Sequence, residues 1–202
     1  MRSPGRKIAP KVVDGKVQKK NNHAWTYATW VHNRGIPVIE KERPAAGRRH
    51  LLTVAEIEKF ISILPDWDEL SKGLRCVMLS GATDCMGWCT NGVVAVCAWE
   101  RELWLNWGPP FYEAHKPILD LLEVNAPYKR TKGYDWHEVQ FSENQAKGFQ
   151  LLHILLHELG HHHDRMLHPG RRINHGEGYA EAYAFKYMDK IWPEYAKHFP
   201  VY

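Results

Sequence analysis

Residues 153–164 read HILLHELGHHHD, and the rest of the chain is best understood outward from them. Phe149, Leu151, Leu152, Ile154, Leu155, Leu156 and Leu159 make the stretch strongly apolar at helical spacing. Within it, His157-Glu158-Leu159-Gly160-His161 is an HExxH pattern. Residues four apart on an α-helix differ by about 40° around the axis and by one turn along it, so both imidazoles can reach one ion. Glu158 then stands one step round, beside the ion, where it can take a proton from a water the ion holds. Such a polar cluster in an apolar helix is costly unless it is paired or metallated.

The same helix carries rivals for that ion. His153 and Asp164 point roughly the way His157 does. At ~1.5 Å of rise per residue, however, His153 lies about 12 Å from His161, and Asp164 about 10 Å from His157. Supporting or helix-end roles suit both. His162 and His163 point away and are expected in solvent. His168 comes one residue late for an HExxHxxGxxH arrangement.

A third ligand is expected from the next helix, 177-EGYAEAYAFKYM-188. Glu177 and Glu181 are four apart and share a face, with Ala180 and Ala184 on or near it, small enough for a close helix approach. HELGH followed by E-x-x-A-E-A-Y resembles the gluzincin metallopeptidases, whose third ligand is a Glu on a later helix. It is similar to the branch containing the bacterial lethal-factor toxins, in which E-x-x-A-E-A-F supplies ligand and support. By position the resemblance implies Glu177 as the metal ligand and Glu181 as the acid accepting the other N–H of a ligating His. The loop from His161 to Glu177 is shorter than in the toxins, which leaves open the swap in which Glu181 binds and Glu177 supports. The likeness covers His153–Met188 and says little about the rest. It implies bound Zn2+ and a donor for an oxyanion; Tyr179, Tyr183 and His175 are near enough in sequence, and His175 in the loop before Glu177 is the choice.

The flanking sequence predicts a mixed layout. Thr53 and Glu56 form a capping box ahead of Ile57, Phe60, Ile61 and Leu64, and Pro65 ends that helix. Short strands are expected at Cys76–Leu79, Gly92–Trp99, Glu102–Trp107 and Trp136–Phe141, with an amphipathic helix over Phe111–Val124. A long helix should run from Glu143 to about Leu167, ended by Pro169-Gly170, and a last one from Glu177 to about Lys190. The expected fold is α+β and zincin-like: a small mixed sheet, an active-site helix carrying HExxH and a following helix giving the third ligand. In such a fold an edge strand lies beside the metal, and Gly92–Trp99 and Glu102–Trp107 are the candidates.

Composition sets the wider frame. The 202 residues suffice for one domain with a real core, with apolar and charged shares ordinary for a globular protein. Residues 1–50 hold twelve Lys or Arg against three acids, while the remainder is mildly acidic. Residues 1–22 read as a basic, disordered arm and 23–202 as a single domain. A basic segment over 1–49 is compatible with nucleic acid, an acidic partner or a solubilising tail. No recognised DNA-binding motif accompanies it. No apolar run approaches the ~20 residues of a membrane span. No export signal is seen either, so a cytoplasmic location is expected. Cys76, Cys85, Cys89 and Cys97 lack paired CxxC-like spacing, and ordinary thiols are expected rather than a disulfide or a second zinc site.

The expected function is zinc-dependent hydrolysis of peptide bonds in a peptide or protein substrate. Glu158 would act as the base on a zinc-held water, with His157, His161 and Glu177 as ligands. Two other readings stand beside it: a zinc-stabilised binding or regulatory module without catalysis, and a nucleic-acid-associated protease using the basic arm.

Overall fold

The computed structural model describes residues 35–81, 85–168 and 176–201, together with the backbone of a two-stranded ribbon, β1 (Val12–Val13) and β2 (Lys16–Val17). Most of the basic arm, and His175, lie outside the described residues. What is described is α+β.

The central sheet is built from β3 (Val38–Lys41), β5 (Cys76–Ser80), β6 (Gly87–Thr90) and β7 (Val93–Cys97), in the order β3-β5-β7-β6. The first two pairings are parallel and the last antiparallel. β5 and β7 are buried at every position, which is why they read as continuous apolar runs rather than alternating ones. Successive side chains still part to opposite faces. Val77, Leu79, Val94 and Val96 enter the main core, while Cys76, Met78, Val93 and Ala95 form a second cluster with Val38 and Trp88.

Two smaller pairings flank this sheet. β4 (Arg48–Arg49) pairs with β8 (Trp99–Glu100), and β9 (Trp104–Trp107), β10 (Tyr128–Thr131) and β11 (Tyr134–Gln140) form an antiparallel sheet ordered β10-β11-β9. The expected strands at 76–79, 102–107 and 136–141 are therefore present with shifted ends. Gly92–Trp99 resolves into β7 and the start of β8. β3, β4, β6 and β10 are not among the expected strands, and the β1–β2 ribbon falls within the arm expected to be disordered.

Helix α1 (Val54–Ile63) starts at the expected Thr53–Glu56 capping box, with both reciprocal bonds made. α2 (Trp67–Leu70) is one short turn. α3 (Pro109–Leu121) opens on two prolines after Gly108 and buries His115, Ile118 and Leu119. The long helix exists but changes character along its length. It begins as α4 (Glu143–Phe149), passes through a fully buried π-helical stretch at Gln150–Leu155, and continues as α5 (Leu156–Leu167). A second capping box, Ser142 with Gln145, sets its start. Gln150 Nε2 donates to the Cys97 carbonyl at 2.9 Å and pins the π stretch to the end of β7.

The final helix, α6 (Gly176–His198), runs eight residues past the expected end at Lys190, through Pro193. Burial of Ile191, and of Tyr195 and Phe199 against Phe60, carries it on, so tertiary packing overrides the local break. α5 and α6 cross closely. A Cβ on Gly160 would lie 2.8 Å from Ala180 Cα and 3.0 Å from Tyr183 Cβ, so the bare backbone of HELGH faces the small residue of E-x-x-A-E. Among the described residues, no helix is long and apolar enough to cross a membrane.

Candidate metal centre

The α5–α6 crossing brings the predicted ligands together. His157 Nε2 lies 3.3 Å from Glu177 Oε2, and His161 Nε2 lies 3.6 Å from Glu177 Oε1. The three residues offer ligand atoms that all lie within 4.8 Å of one another. Ligands about 2.0–2.1 Å from a tetrahedral ion stand about 3.3–3.4 Å apart, so these separations suit a single cation.

Hydrogen bonding fixes the direction of one imidazole. His157 Nδ1 lies 3.1 Å from Glu181 Oε2, and a carboxylate oxygen can only accept, so Nδ1 carries the proton and Nε2 presents its lone pair to Glu177 and His161. Two acceptors, that lone pair and the Glu177 carboxylate, thus face one volume. Only a cation or a proton makes that arrangement favourable. The two glutamates occupy separate places: Glu177 on the Nε2 side of both histidines, Glu181 behind His157. Glu177 is the exposed member of the set, while both histidines are half-buried.

Burial and charge act against each other here. Burial pushes His157 down, but its hydrogen bond to Glu181 and the carboxylates of Glu158, Glu181 and Glu177 leave it above its usual value. Glu181 shows the mirror image: burial pushes it up, and the His157 bond with the neighbouring His153 and His115 brings it below the usual carboxylate value. His161 is lowered, first by burial and then by the proximity of His157. Glu158 is only 6% exposed, and burial raises its carboxyl to about 7, with His157 opposing and Glu177 adding to the shift. A carboxyl poised near neutrality is suited to both taking and returning a proton.

These groups line a cavity of about 840 Å³. Its walls are Cys85–Cys89 on one side, Phe111 and His115 from α3 on another, and Arg165 one turn beyond His161. The strand beside the centre is therefore β6, which is last in its sheet among the described residues. This corrects the expectation for Gly92–Trp99 and Glu102–Trp107. Val93–Cys97 is hydrogen-bonded on both sides and completely buried, and Trp104–Trp107 belongs to the other sheet. β6 carries little signal of its own because it is only four residues long and opens on Gly87.

Other residues of the helix fall differently from expectation. His162 is not solvated: it is 2% exposed and donates from Nε2 to the Lys72 carbonyl at 2.9 Å. His163 shares a 2.7 Å hydrogen bond with Tyr179 and stacks on its ring. Asp164 is buried and accepts from His168 at 3.0 Å, a helix-end role as expected. Tyr179 and Tyr183 are not among the cavity's lining residues, whereas Arg165 and His115 are. His115 is 38 positions from His153, and no sequence spacing could have linked the two. The four cysteines form no disulfide, Cys85 and Cys97 Sγ lie 3.6 Å apart, and none joins a metal-competent group among the described residues. Comparison with protein-family models, curated proteins and solved structures finds no match to the chain.

Proposed function

We propose that this protein is a zinc-dependent metallopeptidase with a zincin-like arrangement of sheet, ligand helix and third-ligand helix. The observation that carries the reading is the meeting of His157, His161 and Glu177 at one point on the wall of an open cavity, with buried Glu158 beside them. Two imidazoles and one carboxylate are the donor set of many catalytic zinc sites, which keep a position open, whereas structural sites are closed by four protein ligands. Bound there, zinc would polarise the scissile carbonyl and acidify water.

The chain's own groups account for the remaining work. Glu181 orients His157 through Nδ1 and makes its Nε2 a better donor. Glu158, buried beside the ligands, takes a proton from the attacking water and returns it to the leaving amine. The outer edge of β6 offers backbone groups with which an extended peptide can pair, which places a backbone amide beside the centre. Arg165 on the cavity wall is the available donor for developing negative charge. A non-catalytic zinc module would need neither the open cavity nor a buried acid next to the ligands.

The test is direct. Purified protein is assayed for zinc by elemental analysis and for cleavage of a broad peptide library with and without a chelator. Bound zinc with chelator-sensitive cleavage is expected. Absence of both metal and cleavage overturns the reading.

A further inference from the structure

A second cluster lies in the same cavity wall, away from the Nε2 side of His157. His115 on α3, His153 in the π stretch and Glu181 on α6 bring ligand atoms within 4.8 Å of one another. All three line the cavity.

Each member shows an unmet need. His153 is 2% exposed, its Nδ1 is buried without a partner, and its Nε2 stands 3.7 Å from Glu181 Oε2, too far for a hydrogen bond. A buried imidazole nitrogen without a hydrogen bond has lost its solvation with nothing in return. Glu181 gives Oε2 to His157, yet its Oε1 is buried with no partner. His115 Nδ1 lies 2.7 Å from the Phe111 carbonyl, which can only accept, so Nδ1 holds the proton and Nε2 keeps a lone pair. One cation between them would engage a nitrogen of His153, Nε2 of His115 and a carboxylate oxygen of Glu181.

The surroundings suit an ion of the zinc class. Phe149 and Phe185 pack around His153, and Trp107 and Phe111 around His115. An apolar shell of this kind fixes ring orientation and limits water. Imidazole and carboxylate donors favour borderline divalent transition ions over calcium or magnesium.

We propose that His115, His153 and Glu181 form a second divalent transition-metal site, distinct from the His157–His161–Glu177 centre and joined to it through Glu181. The inference depends on the proposed zinc centre only through that shared glutamate.

The experiment counts ions. Metal-free full-length protein is equilibrated with excess Co2+, freed of loose metal, and assayed by elemental analysis and visible absorption. The parent should hold two ions. His115→Phe, which keeps the aromatic packing, should hold one, as should His153→Leu. His161→Ala should also hold one, the ion of the second site. A parent that saturates at one ion, lost on His161→Ala, overturns the second site and leaves the first intact. Two ions in parent and in both His115→Phe and His153→Leu overturns it as well. Loss of an ion in His115→Phe but not in His161→Ala would instead sink the first centre and keep the second.

Discussion

Gly87 and Glu158 stand so close that a side chain on the first would displace the second. A Cβ on Gly87 would lie 2.6 Å from Glu158 Oε1, 2.7 Å from Ile154 Cγ2 and 2.9 Å from the Ala95 carbonyl oxygen. The carboxyl proposed as base is thus seated against bare strand backbone. Gly87→Ala must move the carboxyl, or shift β6 off β7. Overpacking of this kind costs about 1–3 kcal/mol, and a misplacement near 1 Å at a reacting group costs about 10²-fold in rate. The variant should retain zinc, melt lower and lose about two orders of magnitude in kcat/KM, measured by peptide hydrolysis and elemental analysis together.

The Glu181–His157 bond leads to a second prediction. Removing a group that orients a metal ligand lowers affinity by about 10–100-fold. Glu181→Gln should weaken zinc at the His157–His161–Glu177 centre by that factor in a competition titration with a chromophoric chelator. Glu177→Gln should weaken it further, because it changes a ligand rather than its support.

How much of this was legible beforehand differs by element. The HExxH pattern and the ExxAEAY segment carried the centre, because helical geometry maps a spacing of four onto one face with no tertiary information. The choice between Glu177 and Glu181 did not follow from the spacing, since both share that face, and only the crossing of α5 and α6 gives each its own side of His157. Strand β6 was invisible because its place at the edge depends on pairing with Val93–Cys97, not on its own propensity. The position of His162 on the helix predicts a solvated side chain. It is buried because Lys72, ninety positions earlier, supplies a carbonyl. The π stretch at Gln150–Leu155 has no sequence signal that periodicity could have shown.

Gly160 supplies a third prediction, in which two effects oppose. In a helix interior Ala is favoured over Gly by about 1 kcal/mol. Here the new methyl would meet Ala180 Cα at 2.8 Å and the Ala180 carbonyl oxygen at 3.1 Å, both backbone atoms that move only with the whole helix. The clash should win. Gly160→Ala is expected to lower stability by about 1–2 kcal/mol in chemical denaturation and to loosen zinc, since it pushes α6 and Glu177 outward.

The buried acid gives the protein a pH signature. In the unfolded chain Glu158 titrates near 4.5, and in the folded protein burial raises it to about 7. The fold therefore binds this proton more tightly than the unfolded chain. The group's favourable contribution is complete below pH 4.5 and is lost as pH rises through 7. Gln resembles the protonated acid and does not titrate. Metal-free Glu158→Gln should match the parent at pH 4 and exceed it at pH 8.5 by up to about 3 kcal/mol, read from denaturation curves at the two pH values.

The role of Glu158 in zinc-loaded protein tests the central claim most directly. Steady-state peptide hydrolysis by parent and Glu158→Gln is compared after both are shown to hold the same amount of zinc. Loss of a general acid–base group should lower kcat by about 10²–10⁴-fold while zinc content stays unchanged. A zinc-loaded Glu158→Gln that cleaves as fast as the parent would contradict the account.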